Sequence, residues 1–313
     1  MSAVNLAVVQ GSEDWLAARR ELITATDIPV LLGLSPYKCE ADLADEKAGA
    51  VQPEPTLRMR TGLALQDLIG EEYARLTGRT LRRFRGMVRH PSIEWAGASP
   101  DFRTVGERRI VEAKRSSSRS RFADGLPQDV EAQVAWQLGV TGFPRADVAV
   151  LVGDDELVTF EVEADAKLFD DLVAVAEDFR RRLRQRGPFS RDINRIRRDH
   201  PTDDGTELIA DQALIDAAHT LAATRKQIAD LEALEDSLKT AIQDRMGPAS
   251  VLIGPDFRAT WKKTKDREET DWKSLAQGLL RTLPESEREP LVGIHSSVRP
   301  GMRPFRLQME GAE

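Results

Sequence analysis

The sequence predicts an α/β fold of the α+β kind, one mixed β-sheet flanked by helices. Three observations point there. Helical signals dominate the first 77 residues, strand signals cluster over 80–114 and again at 147–162, and a helix opening at Pro127 separates the two strand groups. Strand and helix do not alternate regularly, which argues against a doubly wound parallel sheet.

Taken in order, helical signals cover 12–20, 25–33 and 40–48, with Gly49 as a stop; Pro53 and Pro55 mark a loop; and 58–77 reads as a helix closed by Gly78. Strands are predicted near 80–90, 93–101 and 108–114. The Pro127 helix runs to about 140, where Gly139 and Gly142 end it, and 147–152 and 157–162 form a hairpin around Gly153-Asp154-Asp155. A helix follows over 165–186.

After residue 190 the character changes. Leu214, Leu221 and Ile228 recur every seven residues, as do Ala217, Thr224, Leu231 and Leu238, before Gly247-Pro248. This predicts a helix over 206–246, roughly 60 Å long, with one apolar seam that needs a partner. Val251-Leu252-Ile253, Phe257–Trp261, a short helix from Asp271 and a last strand from Arg299 to Met309 suggest a small strand-bearing cap. The division expected is 1–198, 199–248 and 249–313.

With 313 residues, 41% of them hydrophobic, the chain can bury a substantial core. No stretch approaches the ~20 apolar residues of a membrane span, and the N-terminus lacks a basic-then-apolar signal. The expectation is a soluble, cytoplasmic protein with no membrane partner. One cysteine, Cys39, excludes an internal disulfide and a four-cysteine cluster, and the four histidines lack ligand spacing.

The net charge of −7 conceals clusters of positive charge. Arg79, Arg82, Arg83, Arg85 and Arg89 form one, Arg115, Arg119 and Arg121 a second, and Arg180–Arg186 with Arg191, Arg195, Arg197 and Arg198 a third. Clustered arginines bind phosphates even on an acidic chain, although a solvated helix face is an equal reading of the 180–186 run.

The chemistry concentrates in Asp101-x10-Glu112-x-Lys114. In a strand around Ile110-Val111, Glu112 and Lys114 share a face. If Asp101 ends the preceding strand of a hairpin, its carboxylate meets Glu112 across the pair. Two carboxylates suit Mg²⁺ or Mn²⁺, the Ala113 carbonyl could add a ligand, and Lys114 would position or deprotonate a water. Ordinary hairpin surface charges are the plainer alternative.

These residues resemble the PD-(D/E)xK nuclease superfamily, and within it the YqaJ-like viral recombinase group that includes lambda exonuclease. Trp15, Arg19 and Ile23-Thr24-Ala25-Thr26-Asp27 match that group's opening, Gly33–Lys38 and the Gly62–Gly78 helix follow, and Ala132-Gln133-Val134 comes after the Glu-x-Lys strand. The resemblance covers about residues 10–190.

It implies a restriction-endonuclease-like fold and a metal-dependent exonuclease, 5′-to-3′ on linear duplex DNA ends, that makes single strands for recombination, encoded by a phage or prophage. It further implies two Mg²⁺ or Mn²⁺ ions, a ring-shaped trimer and a single-strand annealing partner. Metal would be held by Asp101, Glu112, Ala113 and Gln66, with Gln133 beside Lys114. Arg19 and Thr26 would contact the 5′-phosphate, with Arg115 and Arg119 on the DNA; otherwise Thr26 caps a helix and Arg19 is a surface charge.

One departure stands out. The group's first acidic ligand is Gln66 here, which removes a formal charge from the site, and neither Asp67 nor Glu71 is a clean replacement. Two alternatives follow: a catalytically impaired DNA-binding scaffold that recruits an annealing protein, or an endonuclease of the same superfamily.

Overall fold

The computed structural model describes all residues except 1–2, 51–55, 85, 154, 267, 298–300, 302 and 309–313. The chain divides into two compact units, Met1–His200 and Pro201–Glu313.

The first unit opens with strand β1 (Val4–Leu6), helix α1 (Glu13–Glu21), β2 (Ile23–Thr24), a one-turn α2 (Ile28–Leu31), α3 (Glu40–Lys47) and α4 (Leu57–Thr77). Ser12 caps α1 by accepting from the Trp15 N–H at 3.2 Å, and Gly78 ends α4 in the left-handed region at φ 71°. Next come β3 (Leu81–Arg83), β4 (Met87–Arg89), β5 (Ala96–Ala98), β6 (Phe102–Thr104), β7 (Arg109–Ser116), α5 (Gln128–Thr141), β8 (Arg145–Val152), β9 (Glu156–Glu163), α6 (Ala166–Arg184) and α7 (Ile193–Asp199).

Five strands form the main sheet in the order β3-β6-β7-β8-β9, and four form a smaller one in the order β1-β4-β5-β2. Within the main sheet β7 and β8 run parallel while the other neighbours are antiparallel. This is the mixed α/β architecture expected. The single strand read over 80–90 is two, β3 and β4, which belong to different sheets. The helix read over 25–33 shrinks to Ile28–Leu31, because the chain leaves β2 through a turn in which the Asp27 N–H donates to the Thr24 carbonyl at 2.9 Å.

Helix α5 lies at the centre of the packing. Val130, Val134 and Leu138 meet Ile110, Val148 and Val150, whereas Trp136 and Val140 join Phe169, Leu172 and Phe179 in a second cluster. Gly139 was read as a helix stop, yet it lies inside α5. A Cβ there would fall 2.0 Å from a Phe169 ring carbon, so its role is the close approach of α6.

The second unit holds α8 (Gln212–Met246), the antiparallel pair β10 (Val251–Ile253) and β11 (Arg258–Thr260), α9 (Trp272–Thr282) and α10 (Glu285–His295). α8 starts later than the heptads suggested, because the Asp211 side chain accepts from the Leu214 N–H at 2.9 Å and caps it there. Its 35 residues span about 52 Å. Leu214, Ile228, Leu231 and Leu238 of the seam are exposed.

Gly301 and residues 303–308 carry no strand, contrary to the expectation for that stretch. Arg299, Met309, Pro53, Pro55, Arg85 and Asp154 lie outside the described residues. No helix among the described residues is long and apolar enough to cross a membrane.

Candidate active site

β7 is a strand because Ile110 and Val111, both fully buried, fill the two faces of the sheet. The same alternation sends Glu112 and Lys114 toward α5. There Gln133 and Gln137, four residues apart on one helix face, meet them. Glu112 Oε1 accepts from Lys114 Nζ at 2.7 Å and from Gln133 Nε2 at 2.7 Å, and its Oε2 accepts from Gln137 Nε2 at 2.8 Å. Lys114 also donates to Gln133 Oε1 at 2.8 Å, closing a triangle.

Asp101 does not end a strand, as the sequence suggested. It sits immediately before β6, and its carbonyl accepts from the Phe84 N–H at 2.9 Å. The register Phe102↔Val111 still carries it opposite Glu112. Its Oδ2 accepts from the Ala113 N–H at 2.8 Å and its Oδ1 from Gln66 Nε2 at 2.8 Å. Because the N–H and C=O of one strand residue face the same neighbour, the Ala113 carbonyl is turned to this side as well.

Gln66 reaches Asp101 because α4 lies tight on the sheet. A Cβ on Gly70 would stand 2.7 Å from the Phe102 ring, so only glycine fits this close approach. Seven residues beyond Gln66, Tyr73 is fully buried and donates its hydroxyl to Asp147 of β8. Arg109 and Arg79 donate to the same carboxylate, Arg79 at 3.1 Å. This network locks α4 to the sheet. Sequence reasoning missed it, since its members lie up to 74 residues apart.

Burial and the neighbouring Glu112 charge push the Asp101 carboxyl up to about 8, against the Ala113 N–H, Lys114 and Arg83. For Lys114 burial acts downward, but the charges of Glu112, Asp101 and Asp129 outweigh it and hold the ammonium above the ordinary lysine range.

A cleft of about 640 Å³ opens over these groups, and Arg19, Thr26 and Arg115 line it too. Arg19 Nη2 donates to Thr26 Oγ1 at 3.0 Å, and its guanidinium lies 4.8 Å from the Trp15 ring centroid. Thr26 caps no helix, because the chain turns there between β2 and α2. Beneath this shelf Asp27 Oδ2 accepts from Lys47 Nζ at 2.6 Å, the Thr24 N–H at 2.8 Å and the Thr24 hydroxyl at 2.9 Å. Lys47 also donates to the carbonyls of Arg19 and Leu22 at 2.7 and 2.6 Å. This buried clamp carried no sequence signal.

Arg119 is outside the cleft, paired with Glu156 of β9. Asp67 and Glu71 do not line it either, and Asp67 instead accepts from Arg83 at 2.8 Å. Much of the expected basic surface is engaged in holding the fold together. Arg182 binds Glu40 and Asp178, Arg195 binds Asp42, Asp45 and Asp199, and Arg198 binds Asp42.

Among the described residues no group of three or more His, Cys, Asp or Glu side chains is disposed to hold a metal ion. The donors present are two carboxylates, Asp101 and Glu112, with the Gln66 and Ala113 carbonyls beside them. Gln66 Oε1 is buried without a hydrogen-bond partner, and burial beside Glu112 raises the Asp101 carboxyl. This set fits a hard divalent cation at reduced charge.

Comparison with known proteins agrees with the motif reading. The uncharacterized protein YqaJ of Bacillus subtilis (strain 168) is 30% identical over 174 residues, which is 53% of this chain and 54% of that protein. The chain thus spans about half the length of this relative. Among solved structures, an alkaline exonuclease (LHK-Exo) from Laribacter hongkongensis is similar at TM-score 0.48 and 22% identity, covering 56% of this chain and 94% of that one. A phage related exonuclease from Haemophilus somnus 129PT is similar at TM-score 0.43 and 11% identity, covering 53% and 96%. Residues 14–144, which supply every cleft side chain described above, match the YqaJ-like viral recombinase domain.

Proposed function

We propose that the chain is a metal-dependent exonuclease of linear duplex DNA ends, working 5′-to-3′ and making single strands for phage-type recombination. The observation that carries this reading is the meeting, in one cleft, of the Asp101–Glu112–Lys114 triad with the Arg19–Thr26 shelf. A triad alone would serve an endonuclease equally well. An anion-binding shelf in the same cleft suits a substrate with a terminal phosphate.

Asp101, Glu112, Gln66 and the Ala113 carbonyl would hold Mg²⁺ or Mn²⁺, expected as two ions, which supplies Lewis-acid stabilisation of charge on the phosphate. Lys114 would orient the attacking water, Gln133 fixing its ammonium, and the raised pKa makes positioning its first task. Arg19 and Thr26 would take the 5′-phosphate, and Arg115 the adjoining backbone. The nuclease domain is proposed as residues 1–198, with 199–248 and 249–313 as its helical and cap appendages. A ring-shaped trimer and a single-strand annealing partner complete the proposal.

A second reading has one observation in its favour. The Gln66 amide donates to Asp101 where the family has a carboxylate, which suits a catalytically impaired DNA-binding scaffold. A linear duplex labelled at each end in turn, with and without 5′-phosphate, separates the two. Metal-dependent mononucleotide release that stops in Lys114→Ala supports the exonuclease. Binding without cleavage under Mg²⁺ and Mn²⁺ would move the assignment to the scaffold.

A further inference from the structure

In the main sheet, Arg82 of β3 stands directly opposite Arg103 of β6, and Arg103 in turn opposite Ile110 of β7. Both arginines are exposed. Like charges directly opposite on neighbouring strands repel, and a sheet ordinarily avoids them or answers them with a carboxylate. Their neighbours are answered: Arg79 pairs with Glu107 and Asp147, and Arg83 with Asp67. Among the described residues neither Arg82 nor Arg103 has a carboxylate partner. They line a groove of about 510 Å³ together with Arg83, Phe84, Asn5 of β1 and Val88 of β4, so that residues of both sheets border it.

The alternation of the strands fixes where this groove lies relative to the cleft. Ile110 and Glu112 share a face of β7, so the Arg82–Arg103–Ile110 row is on the same face as Glu112 and Lys114. Along the strands the row is offset by one repeat of two residues, roughly 7 Å, and Arg103 and Arg82 stand one and two strands, about 5 and 10 Å, to the side of Glu112. Two guanidiniums side by side, each a planar fork of donors, match adjoining phosphate oxygens.

We propose that the Arg82–Arg103 pair is a second nucleic-acid contact, holding phosphodiester backbone beside the cleft; this rests on the nuclease reading above. The ligand is a run of backbone phosphates, from duplex ahead of the cut or from the single strand left behind.

The test uses the full chain carrying Lys114→Ala, with Mg²⁺ present, so that bound DNA stays intact. Affinities for a blunt duplex and for the matching single strand are measured across a salt series, with and without Arg82→Gln and Arg103→Gln. For the strand the groove holds, the double variant weakens binding and flattens the slope of log affinity against log salt. The flattening is about 1.8 if the groove holds duplex and about 1.4 if it holds single strand, with half of that in each single variant. Without DNA the double variant melts no lower than its parent, because a repulsive pair has been removed.

Unchanged affinity and slope on both DNAs would overturn the groove proposal alone, provided the chain with Lys114 intact digests the duplex. A chain that neither digests nor binds DNA would remove the nuclease reading and the groove together.

Discussion

The Gln66 amide nitrogen donates to Asp101 Oδ1 at 2.8 Å, while its carbonyl oxygen is buried without a partner. This bond gives Asp101 a neutral donor. Gln66→Glu replaces that donor with a third carboxylate beside a group already pushed up to about 8. The variant is expected to lose about 1–3 kcal/mol of stability without divalent cation. With Mn²⁺ or Mg²⁺ it should bind more tightly and recover more stability than the parent, because it restores the missing charge. Thermal melts across a cation titration check this. Equal cation-induced shifts in the two proteins would show that charge at position 66 does not limit the site.

Lys114 and Gln133 form the next relationship that can be tested. Lys114 has two side-chain partners, and Gln133→Leu removes one while leaving Glu112 short of a donor. Loss of orientation at the reacting end should lower kcat by about 100-fold with little change in KM. Single-turnover digestion of a saturating duplex measures it. A rise in KM at constant kcat would instead make Gln133 a binding group.

Tyr73→Phe tests whether α4 is held by the buried Asp147 network. The substitution leaves the ring in place and removes one donor from a carboxylate that keeps Arg109 and Arg79. Unfolding in urea should show a loss of about 1–3 kcal/mol. Because Gln66 sits two turns along the same helix, cation affinity should fall with it. Full stability in the variant would mean that α4 is fixed by apolar packing alone.

These tests concern contacts of unequal visibility in the sequence. Glu112, Lys114 and Gln133 were legible because strand and helix periodicity place them locally, and the order of motifs supplied the rest. Asp101 was assigned correctly to the neighbourhood of Glu112 but to the wrong end of its strand, since Pro100 and the sheet change after β5 are set by tertiary pairing. α7 went unseen because Asp192 caps a short polar helix held by Arg195 to Asp42 and Asp45, with no apolar stripe to announce it. α10 contains Pro290, a residue that ordinarily ends helices. Among the arginine clusters, sequence could not tell those paired with carboxylates on distant elements from those facing open surface.

The Asp27–Lys47 clamp gives a prediction in pH. Burial raises the Asp27 carboxyl, but Lys47, Arg19 and Lys38 together with its hydrogen bonds bring it down to about 2, from an ordinary value of 3.8. The unfolded chain therefore takes up a proton near pH 4 that the folded chain refuses until about pH 2. The stabilisation, about 2 kcal/mol, is complete above about pH 4 and is lost as pH falls through 2. Asp27→Asn should cost about 3–5 kcal/mol at pH 7, because Lys47 is left buried without its counter-charge. The deficit should narrow as pH falls from 4 toward 2, where the parent loses the same charge. Adding Lys47→Met to Asp27→Asn should restore part of the stability at pH 7, since no lone charge then remains. Urea unfolding at pH 7, 4 and 2.5 distinguishes the cases. A deficit that does not change with pH would assign the effect to the shape of the carboxamide, and the charge of Asp27 would then have no part in holding the Arg19–Thr26 shelf.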